Sequence, residues 1–578
     1  MSKKTVSRRD FVKAAALGGG AIVLAACAAP AAPEAAAPAA AAAPAATAAP
    51  AATAPPAATA VPVAAPTVVG KAPTVSVNWR TKDPVSLSPL FSTSGQEQMV
   101  ERLLFGALLK VNDKLELVPD LAESWETSKD GRTFTFRLHQ NITFSDGEPL
   151  TAEDVRFTFE RAIDKRATSY WFGRFKGIDG AMDYSEQKAD RVTGLETPDK
   201  YTFRVTLASP DAAWLTKLGD FSGFGILPKH VLEGVAPDQM RKNWFSLTPT
   251  VSAGAFSFVA NESGQYLELK RNESYFRGAV AVERIFLKIL GSGIGMAQLE
   301  SGDVDYSDIA VGEFERLKKN ANLIMSSLPS PSLTNLAINN TRPYFQDKRV
   351  RQAMWHAIDR QGIVDSVYAG QAKVVNSPIF GPAWMGEPQF NQYPYDPEKA
   401  KALLKEAGWD KNQKIELMGK SGGTKEQEAY TPVIQNQLQA IGMDCSVILA
   451  DTAVTQERFV AKPDYDMRDN GGGVYGAEPA NGAGYFHTKN HMPAGNNYSR
   501  YSNPVVDGLI DSAVETTDLA QRKSIYTEIV RILNDDAPSA FLWVPNSICA
   551  YNKRLKGMTP TSYLDNYLWN AEEWSITG

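Results

Sequence analysis

The sequence KIELMGKSGGTKEQEAYTPVIQNQLQAIGMDCSVILA, residues 414–450, decides the expected fold class. Residues 414–418 and 444–450 have the side-chain pattern of strands, and residues 425–441 between them have the spacing of an amphipathic helix that ends at Gly442. A strand–helix–strand order predicts a βαβ unit with parallel strands. The sequence therefore predicts an α/β protein.

The flanking sequence continues this mixed pattern. Residues 132–138 and 201–207 alternate with period two, which is typical of half-buried strands. Residues 347–370 have the pattern of a helix. Two more helices are predicted over residues 151–163, which begin with the capping-box sequence TAED, and over residues 396–408, which begin with Asp-Pro and end with Gly. No internal repeat is present, and the elements suit more than one lobe.

The first 26 residues have the pattern of an export signal. Basic residues precede an apolar run, and Arg8 and Arg9 lie in the string SRRDFVK, which is similar to the twin-arginine motif. Cys27 follows the sequence LAA, as in a lipoprotein box; a chance cysteine behind an ordinary signal is the alternative. We expect a signal peptide over residues 1–26 and lipid attachment at Cys27, which would anchor the chain without a membrane-spanning helix.

Residues 27–67 are expected to form a tether. Residues 28–66 contain 24 Ala and 9 Pro, and the frequent prolines oppose a continuous helix. Such a segment is semi-extended and has nothing to bury, so it gives a body that begins near residue 68 room to move above a membrane.

Composition excludes several functions. The 578 residues carry a net charge of −5, so there is no electrostatic reason to bind nucleic acid. Five His and three Cys do not suit a disulfide scaffold or a zinc fold, and we predict no metal or cofactor. Cys445 and Cys549 are expected to be buried thiols, with a disulfide as the alternative.

The body resembles the bacterial extracellular solute-binding proteins of the oligopeptide, dipeptide and nickel type over nearly its whole length. Each matching string is weak alone, but all of them occur in the family's order behind a lipoprotein signal. They are LVPDLAESW (117–125), DGRTFTFRL (130–138), FSDGEPLTAEDV (144–155), LKRNESY (269–275), LESGDVD (299–305), NNTRPYFQDKRVRQA (339–353) and YDPEKAKALL (395–404).

The resemblance implies a two-lobed periplasmic-binding-protein fold of type II, similar to cluster C, with an extra subdomain inserted in the first lobe. The implied boundaries are 68–112, 225–309 and 545–578 for lobe 1, 113–224 for the insertion, and 310–544 for lobe 2. A solute is expected to be enclosed between the lobes.

The resemblance also implies a function. We expect the substrate-binding subunit of an ATP-binding-cassette (ABC) importer, a monomer at the outer face of the cytoplasmic membrane that delivers peptides or similarly elongated polar solutes to permease and ATPase subunits. An oligosaccharide receptor is the alternative within this class.

Four patches of the sequence match the family's pocket by position. The alternative for the glycine run is a flexible loop, and the alternative for the aromatic residues is ordinary core packing. Backbone at side-chain-free glycines can approach a ligand closely. The expected ligand-binding residues are Thr93, Ser94 and Gly95; Tyr170 and Trp171; Gly471, Gly472, Gly473, Val474 and Tyr475; and Trp543, with Ser421 on a loop near the cleft.

One position departs from the pattern of peptide-binding members. These carry an acidic residue three positions before an Asp/Glu-Pro pair, where it anchors the α-amino group of the peptide. Here Tyr475 stands three positions before Glu478-Pro479 and brings no negative charge at neutral pH. Asp469 or Glu478 could compensate only if the loop runs differently. The change weakens the expectation of a free peptide.

An enzyme is the alternative from another class. Ser421 lies in GKSGG, which matches the G-x-S-x-G pattern of serine hydrolases, with His487 or His491 as a conceivable base. A hydrolase serine enters its helix directly, whereas two glycines and a threonine intervene here. The two histidines also have metal-like spacing, but no third ligand is evident. We therefore expect no catalysis.

Overall fold

The computed structural model describes residues 73–80, 82–92, 94–219, 224–380, 383–386, 390–471, 474–476, 478–561 and 567–577. The predicted signal peptide and tether, with Arg8, Arg9 and Cys27, lie outside these residues, as do Thr93, Gly472 and Gly473.

The strands are short except for β20, which has 14 residues. In chain order they are Thr74–Arg80 (β1), Leu109–Val111 (β2), Leu117–Pro119 (β3), Ala122–Thr127 (β4), Thr133–Leu138 (β5), Leu195–Asp199 (β6), Thr202–Thr206 (β7), Phe256–Glu262 (β8), Tyr266–Arg271 (β9), Arg284–Ile289 (β10), Tyr306–Asp308 (β11), Leu323–Pro329 (β12), Thr334–Ile338 (β13), Ala372–Val374 (β14), Ile379–Phe380 (β15), Lys414–Lys420 (β16), Asp444–Ala450 (β17), Met467–Gly471 (β18), Val474–Tyr475 (β19), Ser539–Asn552 (β20), Leu555–Lys556 (β21) and Ser575–Ile576 (β22).

The helices pack on both halves of the fold, and within the described part of the chain none is long and apolar enough to cross a membrane. In chain order they are Gly95–Phe105 (α1), Ala152–Ile163 (α2), Phe172–Phe175 (α3), Ala181–Ser185 (α4), Trp214–Gly219 (α5), Lys229–Leu232 (α6), Ser292–Ser301 (α7), Phe314–Leu317 (α8), Lys348–Ala357 (α9), Arg360–Val367 (α10), Pro397–Glu406 (α11), Lys425–Ala440 (α12), Thr452–Thr455 (α13), Pro479–Gly484 (α14), Pro504–Glu515 (α15) and Leu519–Asp536 (α16).

The predicted βαβ unit is confirmed. Strands β16 and β17 pair in parallel, with Lys414 opposite Asp444, and α12 connects them. The side chains of Thr424 and Gln427 form a capping box at the start of α12. The predicted strands at 132–138 and 201–207 are β5 and β7, which pair antiparallel, and the predicted helix after Thr151 is α2, with its capping box.

The single helix predicted over residues 347–370 is wrong. The structure has two helices there, α9 and α10, because Ile358 adopts extended backbone and Asp359 caps α10 by accepting a hydrogen bond from the Gly362 amide. Val350, Met354 and Ile358, which have the apolar spacing of one helix face, are nevertheless all buried. The periodicity therefore identified the inward face but not the break.

One large sheet runs through both halves in the order β17-β16-β18-β13-β20-β11-β1-β10-β9-β8. Its long strand β20 pairs with β13 through its first residues and with β11 through its last. A separate four-stranded sheet, β4-β5-β7-β6, lies within the predicted insertion. The exact boundaries of lobes and insertion stay a prediction.

The buried side chains form two large clusters. One is built mainly from residues 75–287 and 549–574, and the other from residues 333–544. The chain passes between them after β11 and again along β20. A mixed α/β chain with two cores and two crossings is a two-lobed fold.

The two cysteines are buried thiols rather than a disulfide. Cys445 lies in the second core, and burial raises the pKa of its thiol to about 12. Cys549 lies on β20 beside the first core. Their burial was the expectation, and the disulfide alternative is excluded.

Candidate ligand-binding site

The first-lobe loop ends at the start of α1. Ser94 stands at the N-cap position, and its hydroxyl donates to Oε1 of Gln96 at 2.8 Å. Gly95 has open space where a Cβ would lie. A ligand can therefore approach the backbone here.

Tyr170 and Trp171 lie against this loop but play different structural parts. The Tyr170 amide donates to the Leu90 carbonyl at 3.0 Å, and the Trp171 indole Nε1 donates to the Pro89 carbonyl at 2.8 Å. Trp171 is only 2% exposed, and its ring stacks on Phe175, whereas Tyr170 is 42% exposed. Tyr170 can contact a ligand, while the position of Trp171 favours the core-packing alternative.

Strand register brings three of the predicted second-lobe residues, Gly471, Ser421 and Trp543, close together. Thr334 of β13 lies opposite Gly471 on β18 and opposite Trp543 on β20. Ser421 follows the carboxyl end of β16, which runs parallel to β18. Gly471, Ser421 and Trp543 therefore lie near the same ends of neighbouring strands. Trp543 itself is fully buried, between Tyr430 and Tyr368, which again favours core packing.

Of the glycine run, the structure describes only Gly471. Gly471 closes β18, and Val474 and Tyr475 form β19, which pairs in parallel with β15. The chain thus leaves the central sheet at Gly471 and enters a second, small sheet.

Tyr485 is a partly buried residue whose ring contacts Tyr498, with ring centroids 5.8 Å apart. Burial, and then the neighbouring Tyr498 and Tyr170, raise the pKa of Tyr485 to about 12. Tyr170 belongs to the first core region, and Tyr485 packs on the second core. Sequence reasoning missed Tyr485, because nothing in the order of residues sets it apart from other core aromatics.

Glu478 and Asp469 were considered as replacements for the acidic amino-group anchor that is absent at Tyr475, but neither is exposed. Glu478 is 3% exposed; it caps α14 and forms a 2.6 Å ion pair with Arg522, which is also buried. Asp469 is 4% exposed and accepts hydrogen bonds from the Tyr430 hydroxyl at 2.8 Å and from Gln427 at 3.1 Å. Burial raises the pKa of Asp469 to about 6. Both carboxyl groups serve the second lobe's own structure.

A cavity of about 260 Å³ adjoins the first-lobe loop and the crossing strands. Gln96, next to the predicted Ser94 and Gly95, lines it together with Trp79 from β1 and residues of β11, β12 and β20. Its size is slightly below that of typical small-molecule pockets, so it would accommodate one part of an elongated ligand. Of its lining, the sequence indicated only the neighbourhood of Gln96.

The hydrolase arrangement does not assemble around Ser421. Gly422, with φ +66°, and two further residues separate Ser421 from α12. Within the described residues, His487 bonds to Asp507 and Asp511, and His491 to the Tyr501 carbonyl, rather than to Ser421. No cluster of potential metal ligands occurs among the described residues either.

Two lobes joined by two crossings of the chain, with a cavity beside the crossing strands, are the architecture of a solute-binding protein of the periplasmic type. The family model "Bacterial extracellular solute-binding proteins, family 5 Middle" matches residues 116–493. The chain belongs to this family.

Relatives in this family bind different solutes. The oligopeptide-binding protein AppA of Bacillus subtilis is 26% identical over 507 residues, covering 85% of this chain and 90% of AppA. Its structure with a nonapeptide has a TM-score of 0.71 and covers 87% of this chain and 99% of that one. NikZ of Campylobacter jejuni, solved with Ni(L-His), is 25% identical with a TM-score of 0.72 over the same shares. The glutathione-binding protein GsiB of Pectobacterium atrosepticum is 25% identical over 508 residues, covering 85% of this chain and 94% of GsiB.

Proposed function

We propose that the protein is the substrate-binding subunit of an ABC importer and that it captures a peptide, or a similarly elongated polar solute, between its lobes. The observation that carries the proposal is the two-lobed fold with a cavity of about 260 Å³ that adjoins the Ser94 loop and the crossing strands. Groups from both lobes would then contact one solute, which favours closure over the open state.

Peptide is the preferred cargo because AppA was solved with a nonapeptide. The end of β18 at Gly471 also suits an extended ligand, since backbone groups there can pair with a peptide main chain. In this proposal the protein binds and releases its cargo without chemical change.

The proposal includes a route and an anchor. Arg8 and Arg9 would direct export by the twin-arginine route, and Cys27 would carry the lipid that holds the protein at the outer face of the cytoplasmic membrane. The Ala/Pro-rich segment that follows would let the monomeric body reach the permease. Replacing Cys27 with Ser should release the protein from membranes, which fractionation of expressing cells would measure.

The cargo is tested by thermal unfolding in the presence of candidate ligands. A ligand at 100 times its dissociation constant adds about 2.7 kcal/mol to the free energy of unfolding. We expect peptides of three to nine residues to raise the melting temperature and oligosaccharides of similar length to leave it unchanged. The reverse result would assign the oligosaccharide role.

The enzyme alternative is tested on the same samples. Ser421→Ala should leave the affinity for a bound peptide within a few-fold, and mass spectrometry should recover that peptide intact from the wild type. Cleavage by the wild type that the variant lacks would establish a hydrolase instead.

A further inference from the structure

Arg468 differs from the other arginines of the second lobe. It lies on β18, which ends at the predicted ligand-binding residue Gly471, and its side chain is half-buried. Within the described part of residues 310–544, its guanidinium is the only one that forms no hydrogen bond or ion pair; every other arginine there donates to a carboxylate or a backbone carbonyl. The positive charge of Arg468 is therefore not used by the fold.

Strand register determines the face of the sheet on which Arg468 lies. Ala337 of β13 and Met418 of β16 are directly opposite it, and both belong to one small hydrophobic cluster. Residues directly opposite each other point to the same face of a sheet, and successive residues point to opposite faces. Asp469, the next residue, is hydrogen-bonded to α12 on the other face. The carboxylate nearest along the chain is thus directed away from the guanidinium.

The surroundings of Arg468 leave its donors available. Its Cζ lies 4.1 Å from the centroid of the Phe459 ring, and Phe459 stacks on Tyr498 with centroids 5.3 Å apart. A cation–π contact uses none of the N–H donors of a guanidinium. Burial lowers the pKa of Arg468, but an arginine keeps its charge in proteins. A partly desolvated cation with free donors favours a carboxylate.

The aromatic contacts continue from Arg468 to Tyr485. The rings of Tyr498 and Tyr485 have centroids 5.8 Å apart, and both residues line a cavity of about 20 Å³ together with Ala337, the residue opposite Arg468. Burial, and then Tyr498 and the first-lobe Tyr170, raise the pKa of Tyr485. The face of β18 that carries Arg468 is thus the face that carries Tyr485.

We infer that Arg468 is a specificity-determining residue of the binding site and that it receives a carboxylate of the cargo. The inference rests on the proposed binding function and names one chemical group that the cargo carries. A guanidinium can donate two parallel N–H bonds to a carboxylate. In a peptide this group is the carboxyl terminus or an acidic side chain.

Three peptides with free amino termini identify the group. They are tetra-alanine, tetra-alanine amide, and the same amide with glutamate at its third position. We expect Arg468→Gln to bind tetra-alanine about 10- to 100-fold more weakly than the wild type in calorimetry, because a charge-assisted pair is lost. Tetra-alanine amide should bind both proteins within about twofold. A loss confined to the glutamate peptide would assign the subsite to an acidic side chain.

Two variants serve as controls. Arg468→Lys keeps the charge but not the planar pair of donors, so it should recover part of the affinity. Lys462→Gln removes an exposed charge of the same segment, which pairs with Glu457 at 2.8 Å, and should leave all three affinities unchanged. Equal affinities of Arg468→Gln and the wild type for every peptide that binds would overturn the inference.

A second experiment needs no peptide. Phenylglyoxal modifies arginine side chains, and mass spectrometry measures the rate at each one. Propionate at twice its dissociation constant should slow the modification of Arg468 about threefold by mass action, whereas its neutral analogue propionamide should not. Arg531, which is exposed and paired with Glu528, is the internal reference in the same sample.

The two experiments separate the failure of the inference from the failure of the proposed function. If the wild type binds none of the three peptides, the peptide cargo of the proposed function fails, and the propionate experiment decides the inference. Protection of Arg468 by propionate alone would then support a carboxylate subsite for another cargo. Equal rates at Arg468 with propionate and with propionamide would overturn it.

Discussion

The carboxyl group of Glu101 should make the stability of the first lobe depend on pH. Glu101 and Glu97 lie one turn apart on α1 and are 3% and 2% exposed. The Ser92 hydroxyl forms a hydrogen bond with Glu101, just before the loop at Ser94. Burial, reinforced by the charge of Glu97 and opposed by Ser92, raises the pKa of Glu101 from 4.5 to about 8.

The sign of the effect follows from this raised pKa. Between pH 4.5 and 8 the folded protein holds a proton on Glu101 that the unfolded chain releases, so the free energy of unfolding falls as pH rises. Each pKa unit corresponds to about 1.4 kcal/mol, and the loss between pH 5 and pH 8 is therefore about 4 kcal/mol. Glutamine has the shape of the protonated acid and does not ionise, so Glu101→Gln should not suffer this loss.

Urea unfolding followed by tryptophan fluorescence measures the difference. At pH 5 the variant and the wild type should unfold within about 1 kcal/mol of each other, and at pH 8 the variant should be more stable by about 4 kcal/mol. Glu398→Gln, at an exposed carboxyl, should show no such divergence. A Glu101→Gln variant that follows the wild type at both pH values would show that Glu101 is ionised in the folded protein, and the reasoning would fail.

Two further predictions separate structural from ligand-contacting residues. Trp171→Ala should lower the free energy of unfolding by about 3–5 kcal/mol because it empties a buried site. Tyr170→Ala should lower it by less than about 1 kcal/mol but should weaken ligand binding measured by calorimetry. Equal losses of stability in the two variants would contradict the assignment. Glu478→Gln should cost about 3–5 kcal/mol in urea unfolding, because it leaves the buried Arg522 without its charge partner. Adding Arg522→Met should recover most of that loss, and a single-variant cost below about 1 kcal/mol would show that the pair is unimportant.

Local structure was predictable where neighbouring residues decide it. The capping box at Thr151 and the Asp-Pro start of α11 were both evident from short sequences. The break between α9 and α10 was not evident from the sequence, because the helical periodicity of apolar residues continues through it. The break forms because the Asp359 side chain caps the start of α10. Side-chain capping overrode the pattern there.

The site was only partly predictable because most of it is not local. Resemblance supplied Ser94, Gly95 and Tyr170, which the structure places around one loop. The resemblance could not distinguish the buried Trp171 from the exposed Tyr170, because the burial of each side chain depends on how the rest of the first lobe packs around it. The long strand β20 was the decisive missing element: its register alone determines which residues of β11, β12 and β13 become neighbours.

The position of negative charge bears on specificity for free peptides. Along the sequence, Glu478 and Asp469 are the carboxyl groups nearest to Tyr475, and both are buried and bonded within the second lobe. A buried carboxylate that is already bonded gains little from a ligand cation. Tyr475→Asp should therefore raise the affinity for free-amine peptides, because the new carboxylate can form a charge-assisted hydrogen bond with the amino group. Calorimetry with tetra-alanine measures this, and equal affinities of the variant and the wild type would refute the reasoning.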